Sequence, residues 1–321
     1  MHMLDRRTFI GTGLSAFGGA MLSDWAFAGE KDGIKAAPLK LTKIDIHVGA
    51  TKPFKALHVS DTHLAAANPD ELNTEKLLEY VARRNKGFLG SYETYRATVD
   101  YAARKRMLVL HTGDLIDFVS VRNLESAKAG FGGKNGVFLC RGNHEYWNPA
   151  DPKGAQRANA VERVASAYPN DLVCASKVVN GVNFVAIDGA DEQIGRKTLE
   201  RMKAEFAKGL PVVLLLHAPF YTEKLFEASW ERHNAKGVGT ASLTGVPDEI
   251  VDANYSKRWQ KSSKQWSGTK EGIAFLKANR QLKAVLCGHL HFNFADRFSE
   301  TAMEYVVGGN FLFHGQEVLF T

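Results

Sequence analysis

The stretch Val137-Phe138-Leu139-Cys140-Arg141-Gly142-Asn143-His144-Glu145 joins an apolar run to a glycine, an amide and an imidazole. Four successive apolar residues bounded by a turn signal suit a short strand covered on both faces. Gly142 permits a sharp turn, which sets Asn143 and His144 at the strand end, facing whatever lies above the sheet. Asparagine offers a neutral oxygen to a cation, and histidine offers an acid or a base near neutral pH. A polar loop can look the same, so the weight of this junction comes from its repetition elsewhere.

The same junction recurs along the chain. Residues 54–60 form an apolar run ending in Asp61-Thr62-His63. Positions two apart on an extended chain point the same way, so Asp61 and His63 can reach one ion. Residues 107–110 lead into His111-Thr112-Gly113-Asp114-Leu115-Ile116-Asp117. Asp114 follows a glycine at a strand end, where its two oxygens could bridge two ions. Asp117, three residues on, shares its face if a helix starts there, and is read as the partner that orients a histidine. Residues 211–216 end in His217-Ala218-Pro219, and the proline turns the chain out of the strand as a loop. Residues 283–287 end in Gly288-His289-Leu290-His291, two imidazoles two apart behind a glycine. Of the 11 histidines, His63, His144, His217, His289 and His291 fall directly after expected strands. His58 and His111 lie inside apolar runs and read as core histidines.

Oxygen and imidazole donors without thiolates suit Zn, Mn, Fe or Ni. The donors are too many for one four-coordinate ion. They suffice for two ions sharing a carboxylate at the roughly 3.5–4 Å separation of two-metal hydrolysis.

Between these junctions the pattern turns helical. Residues 72–86, the set Tyr92, Tyr95, Val99 and Ala102, residues 155–168, the set Leu199, Met202 and Phe206, and residues 273–279 are expected helices. Asn180-Gly181 marks a hairpin within 172–188. Residues 29–53 read as a linker entering an edge strand at 41–48, and 303–307 and 317–320 as further strands. Residues 118–136, with a glycine-rich end, read as a loop excursion. Residues 221–268 break the strand–helix rhythm and read as a lid. They carry Trp230, Trp259 and Trp266 among Lys257, Arg258, Lys261 and Lys264, a mixture that could also hold a phosphorylated or base-bearing ligand.

Composition sets the bounds. The chain has 321 residues, 45% hydrophobic and 24% charged, which is ordinary for a soluble globular protein with a core needing no disulfide staples. A net charge of +6 and pI of about 9.1 suit anionic ligands but are too mild to argue for nucleic acid. Cys140, Cys174 and Cys287 are too few and too scattered for a disulfide framework or a thiolate zinc site, and read as buried hydrophobes. Residues 1–28 carry Asp5-Arg6-Arg7-Thr8-Phe9-Ile10, a weakly apolar glycine-rich segment to Leu22, and Ala26-Phe27-Ala28. That is the order of an export signal, with an apolar part too short to span a bilayer. The paired arginines resemble a twin-arginine signal, which implies the twin-arginine export machinery as a partner and a periplasmic or secreted bacterial protein. A retained anchor or a Sec signal is the alternative.

Taken together, Asp61-x-His63, Gly113-Asp114-x-x-Asp117, Gly142-Asn143-His144-Glu145, His217 and Gly288-His289-x-His291 resemble the calcineurin-like metallophosphoesterases, in that family's order, across residues 54–291. Any one motif is unspecific, whereas the ordered set is specific. The resemblance implies an α+β fold of four αββα layers, two mixed sheets with helices outside, over residues 54–321 with 221–268 inserted. It implies Asp61, His63 and His291 on one metal, Asn143, His217 and His289 on the other, and Asp114 bridging. His144 would protonate the leaving group or steady the transition state, with Asp117 orienting it, and Arg141 could fork onto two phosphate oxygens. A hydroxide bridging the metals would attack phosphorus in line. The expected protein is an exported hydrolase of phosphomonoesters or phosphodiesters acting on a phosphorylated small molecule. The alternative is a metal-dependent protein of the same fold that only binds an anion or nucleic acid. Phe118 stands where protein serine/threonine phosphatases carry an arginine, and Asp117 where purple acid phosphatases carry a tyrosine. Neither subgroup is therefore implied.

Overall fold

Strand after strand in this chain is apolar on both faces, and each face finds a different cover. In the computed structural model, which describes residues 38–132, 136–147 and 157–321, the strands form two mixed sheets. The export signal read at residues 1–28 lies outside the described residues, as do the start of the linker and part of the glycine-rich end of 118–136.

The five-stranded sheet has the order β1 (Lys40–Ile46), β11 (His314–Phe320), β2 (Phe54–Val59), β3 (Leu108–Thr112), β4 (Val137–Cys140). The six-stranded sheet runs β5 (Cys174–Val179), β6 (Val182–Ile187), β7 (Val212–Leu215), β8 (Leu282–Cys287), β10 (Met303–Val306), β9 (Phe294–Arg297). β2, β3 and β4 are mutually parallel, and so are β6, β7 and β8. Within each sheet these strands therefore deliver their C-terminal ends to the same edge.

The period of two along a strand sorts the side chains into layers. Ala56, Leu108, Leu110, Phe138 and Cys140 of one sheet meet Val182, Phe184, Ala186, Val213, Leu215, Ala284 and Leu286 of the other in a shared core. Their neighbours turn outward. Leu57, Val59 and Val109 pack with Ala102, which lies on α2 (Ser91–Lys105). Val185, Ile187, Val212, Leu214 and Val285 pack with Leu199, Met202, Phe206 and Leu276, carried by α5 (Arg196–Phe206) and α9 (Ser267–Ala278). The result is the four-layer αββα sandwich. α1 (Glu75–Gly87) starts at Thr74, whose side chain accepts from the Leu77 N–H, a normal N-cap. Asn180 and Gly181 join β5 to β6 with φ of 47° and 82°, the left-handed pair a tight hairpin requires.

Two differences from the sequence reading have local causes. Residues read as a loop excursion contain α3 (Val121–Ala129), capped by Ser120 and burying Leu124 and Ala127. Its apolar stripe is too short to stand out against Arg122, Glu125 and Lys128. β9 was not anticipated, since four half-exposed residues hold no pattern until β10 pairs with them.

α4 (Arg157–Ala167) follows β4. Residues 221–268 contain α6 (Glu223–Asn234), α7 (Asp248–Asn254) and α8 (Lys257–Ser263). Leu225, Val251 and Tyr255 join the outer core of the six-stranded sheet, and Trp230 and Trp259 pack against it, whereas Trp266 is exposed. The three cysteines are free and buried. No helix among the described residues is long and apolar enough to cross a membrane.

Candidate metal centre

The two sheets are stitched together where their parallel strands end. Asp61 N donates to Gly113 O at 2.9 Å, and His63 N to Asp114 O at 2.9 Å. Gly288 N donates to His217 O at 3.0 Å. Across the sheets, His217 Nδ1 donates to Thr112 O at 2.7 Å, and His289 N to Asp61 Oδ2 at 2.8 Å. These bonds bring Asp61, His63, Asp114, Asn143, His144, His217, His289 and His291 to one place.

There the donor atoms sort into overlapping sets. Asp61 Oδ1 lies 3.2 Å from His291 Nε2 and 3.7 Å from His63 Nε2, and the two imidazole nitrogens are 3.2 Å apart. His217 Nε2 lies 3.2 Å from Asn143 Oδ1, 3.2 Å from Asp114 Oδ2 and 3.0 Å from His289 Nδ1. Asp114 Oδ2 is also 3.7 Å from His63 Nε2, so it stands between the sets. Asp61, His63 and His291 form one group able to hold a cation, and Asp114, His217 and His289 another, with ligand atoms within 4.8 Å of one another.

The residues fit a pair of cations on an observation of their own. Asp61 Oδ1 is buried and makes no hydrogen bond. A carboxylate oxygen left so would cost on the order of 1–3 kcal/mol without a partner. Nitrogen and oxygen donors without sulfur match borderline divalent ions.

The reason Asp61 pairs with His63 differs from the expected one. Neither lies on extended chain: their φ angles are 55° and 53°, and those of Asp114, His289 and His291 are 53°, 70° and 60°. Left-handed backbone is uncommon for such residues and marks a site that the surrounding structure holds in place. His289 and His291, two apart in sequence, turn to different groups. Gly142 and Gly288 matter for space rather than for φ. A Cβ on Gly142 would overlap Asp114 Oδ1, and one on Gly288 would overlap Ser60 Oγ and come within 2.5 Å of Asp61 Oδ2.

The field of the site favours positive charge. Burial works against ionisation of Asp61 and Asp114, yet the surrounding imidazoles, His291 foremost for Asp61 and His217 for Asp114, hold both carboxyls well below their ordinary range. Conversely, burial alone would lower His63, but its hydrogen bond to Asp117 and the nearby carboxylates of Asp61 and Asp114 raise it to about 10. His217 is raised to about 9 against its burial by Asp114 above all. A proton or a cation meets the same welcome here. His58 and His111, by contrast, are pushed down to about 4 and about 3 by burial. They sit in polar networks beneath the site, His58 with Gln316 and Thr112, His111 with Thr62.

His144 stands beside this centre, its Nε2 4.0 Å from Asp114 Oδ2. Its Nδ1 donates to the Asp117 carbonyl at 2.7 Å, which leaves Nε2 facing the cations' place. Burial pushes its pKa down. Asp117 also accepts from His63 Nδ1 at 3.1 Å. It therefore orients two imidazoles, where one was expected. Arg141 does not match the expected fork onto phosphate. Its Nε donates to Asp188 Oδ1 at 2.9 Å, its Nη2 to Oδ2, and it stacks over Tyr146. A buried guanidinium this close to a carboxylate takes the partner the fold provides.

Other residues support these ligands. Arg84 forks onto Asp117 through Nε at 2.6 Å and through Nη2. Glu145 accepts from the N–H groups of Gly142 at 2.7 Å, Leu115 at 2.8 Å and Asp114 at 3.0 Å, shaping the loop that carries Asp114. Asn310 accepts from Thr62 at 3.0 Å, between Asp61 and His63. Phe88 stacks on His63 at 4.3 Å. Only the fold brings Arg84, Asn310 and Phe88 to the site.

A family model described as calcineurin-like phosphoesterase matches residues 54–293. Among solved structures, a dimetal phosphatase from Danio rerio is similar at 14% identity over 80% of this chain and 88% of that one, with TM-score 0.50. Purple acid phosphatase PPD1 from yellow lupin matches at 14% identity over 81% and 44%, TM-score 0.44. The phosphopantetheinyl hydrolase of Mycobacterium tuberculosis matches at 13% over 80% and 90%, TM-score 0.39. The Danio rerio likeness is one of fold. A comparison with curated protein sequences finds no match.

Proposed function

Because the chain belongs to the calcineurin-like phosphoesterase family, whose members are metal-dependent phosphoesterases, we propose that it hydrolyses phosphomonoesters or phosphodiesters at a two-metal centre. Asp61, His63 and His291 would hold one ion and Asn143, His217 and His289 the other, with Asp114 between the two sets. The observation that carries this is Asp61 Oδ1, buried, without a hydrogen bond, and 3.2 Å from His291 Nε2. When bound, two cations would supply Lewis acidity to the phosphoryl oxygens and lower the pKa of a water.

The chain's own residues do the remainder. His63 and His217 present Nε2 because Asp117 and Thr112 hold their Nδ1 atoms. His144, whose Nδ1–H is held by the Asp117 carbonyl, gives a proton from Nε2 to the leaving oxygen when it is in the imidazolium form, and is left as the neutral imidazole. Arg84 keeps Asp117 ionised and in place. Arg141 acts from behind, tying the end of β6 through Asp188. Export by the twin-arginine route is part of the proposal and is supported by Arg6-Arg7 and Ala26-Phe27-Ala28 alone. Subcellular fractionation with and without an Arg6→Lys, Arg7→Lys change tests it.

Assay of p-nitrophenyl phosphate and its bis-ester with metal-loaded wild type and His144→Ala tests the chemistry. Metal-dependent turnover reduced about 10²–10⁴-fold in the variant is expected. No turnover of either ester by wild type would leave an anion-binding protein instead.

A further inference from the structure

The other nitrogens of the buried histidines tell the ligands apart. His63 and His217 each turn Nε2 inward and give Nδ1 to a fixed acceptor, Asp117 or the Thr112 carbonyl. His289 is reversed. Its Nδ1 faces inward, 3.0 Å from His217 Nε2, and its Nε2 is buried with no hydrogen-bond partner. With Nδ1 given to a cation, Nε2 must carry the ring proton, so it needs an acceptor.

The acceptor nearest to hand is Glu192, whose Oε1 lies 3.7 Å from His289 Nε2, too far for a hydrogen bond but within a small side-chain adjustment. Glu192 lies in the loop between β6 and α5 with φ 61°, a left-handed conformation glutamate rarely takes. The loop is clamped on both sides of it. Asp188 is held by Arg141 and Tyr146. Gln193 is buried and donates to the carbonyls of Ser262 and Lys264, each at 3.2 Å. It also accepts from Trp266 N at 3.0 Å and Thr269 Oγ1 at 2.7 Å. Strain at a clamped acidic residue beside an unsatisfied imidazole is what a positioning device looks like.

We infer that Glu192 is the outer carboxylate of the metal held by His289, closing onto Nε2 to fix the ring with Nδ1 toward the cation. This rests on the two-metal reading above. The clamp explains how residues 262–269 act on the centre: the Ser262 and Lys264 carbonyls, the Trp266 N–H and the Thr269 hydroxyl hold Gln193, and Gln193 holds Glu192. Glu192 is a positioning residue and touches neither substrate nor ion.

Equilibrium dialysis of the full chain against graded Mn(II), with wild type, Glu192→Ala and Glu192→Gln, tests it. Wild type takes up two equivalents. In Glu192→Ala one equivalent keeps its affinity and the other weakens about 10–100-fold. Glu192→Gln, which keeps an acceptor oxygen without the charge, falls between. Unchanged affinities in Glu192→Ala overturn the inference alone, as does equal weakening of both sites, which would mark a merely structural loop. Fewer than two equivalents in wild type overturns the two-metal reading and this inference with it.

Discussion

Glu304 offers a test that needs no substrate. It lies on β10 and is 1% exposed. Its Oε1 accepts from Phe220 N at 2.8 Å and Cys287 Sγ at 3.4 Å, whereas its Oε2 is buried without a partner. Burial pushes the carboxyl up to about 8 from an ordinary 4.5. Because the folded pKa lies above the unfolded one, the native state keeps a proton that the unfolded chain has released. Stability therefore falls as pH rises through that window, by about 1.4 kcal/mol for each pH unit. Between pH 5 and pH 8 the loss from this one group is about 3–4 kcal/mol. Glu304→Gln keeps the Oε1 acceptor and cannot ionise, so it lacks this decline. The assay is urea unfolding of wild type and Glu304→Gln at pH 5 and pH 8. Other titrating groups are common to both and cancel in the difference. The stability of the variant relative to wild type should rise by about 3–4 kcal/mol from pH 5 to pH 8. Parallel behaviour of the two proteins would refute the claim that Glu304 is held protonated. It would also imply that water or a counter-charge reaches the segment leaving His217 for the insertion.

Asp114→Asn should diminish both metal equivalents and lower kcat/KM by about 10²-fold or more. Metal analysis with two full equivalents would contradict the bridging assignment. Gly288→Ala would force Ser60 and Asp61 to give way, costing about 1–3 kcal/mol and uptake at the Asp61 side, read by denaturant unfolding and metal analysis. Arg84→Met strips Asp117 of its fork and should destabilise the fold by about 1–3 kcal/mol, below the cost of breaking a fully buried pair because Arg84 is 28% exposed.

Much of the centre is visible in the chain because apolar strands and the polar residues at their ends are local features. Phe138, Leu139 and Cys140 need no distant contact to declare a strand, and Asn143 and His144 follow at once. Order along the chain then ties the junctions into a single pattern. What escapes the eye is set by contacts between segments far apart. Arg84 reaches Asp117 from a helix whose face looks ordinary. Arg141, read as a phosphate ligand, is claimed by Asp188 because β4 and β6 end side by side. Glu192 has no neighbour in sequence that hints at His289. The left-handed backbone at Asp61, His63, His289 and His291 is equally hidden, since it is uncommon even for aspartate and histidine. Helix α3 hides for a humbler reason: two turns bury too few side chains to outweigh the charges around them.

The most direct measurement is an anomalous-difference map from crystals of the Mn(II)-loaded protein. Two peaks about 3.5–4 Å apart are expected, one beside Asp61, His63 and His291, the other beside Asn143, His217 and His289, with Asp114 between. A single peak, or peaks away from Asp114, would contradict the two-metal centre on which the proposed hydrolysis depends.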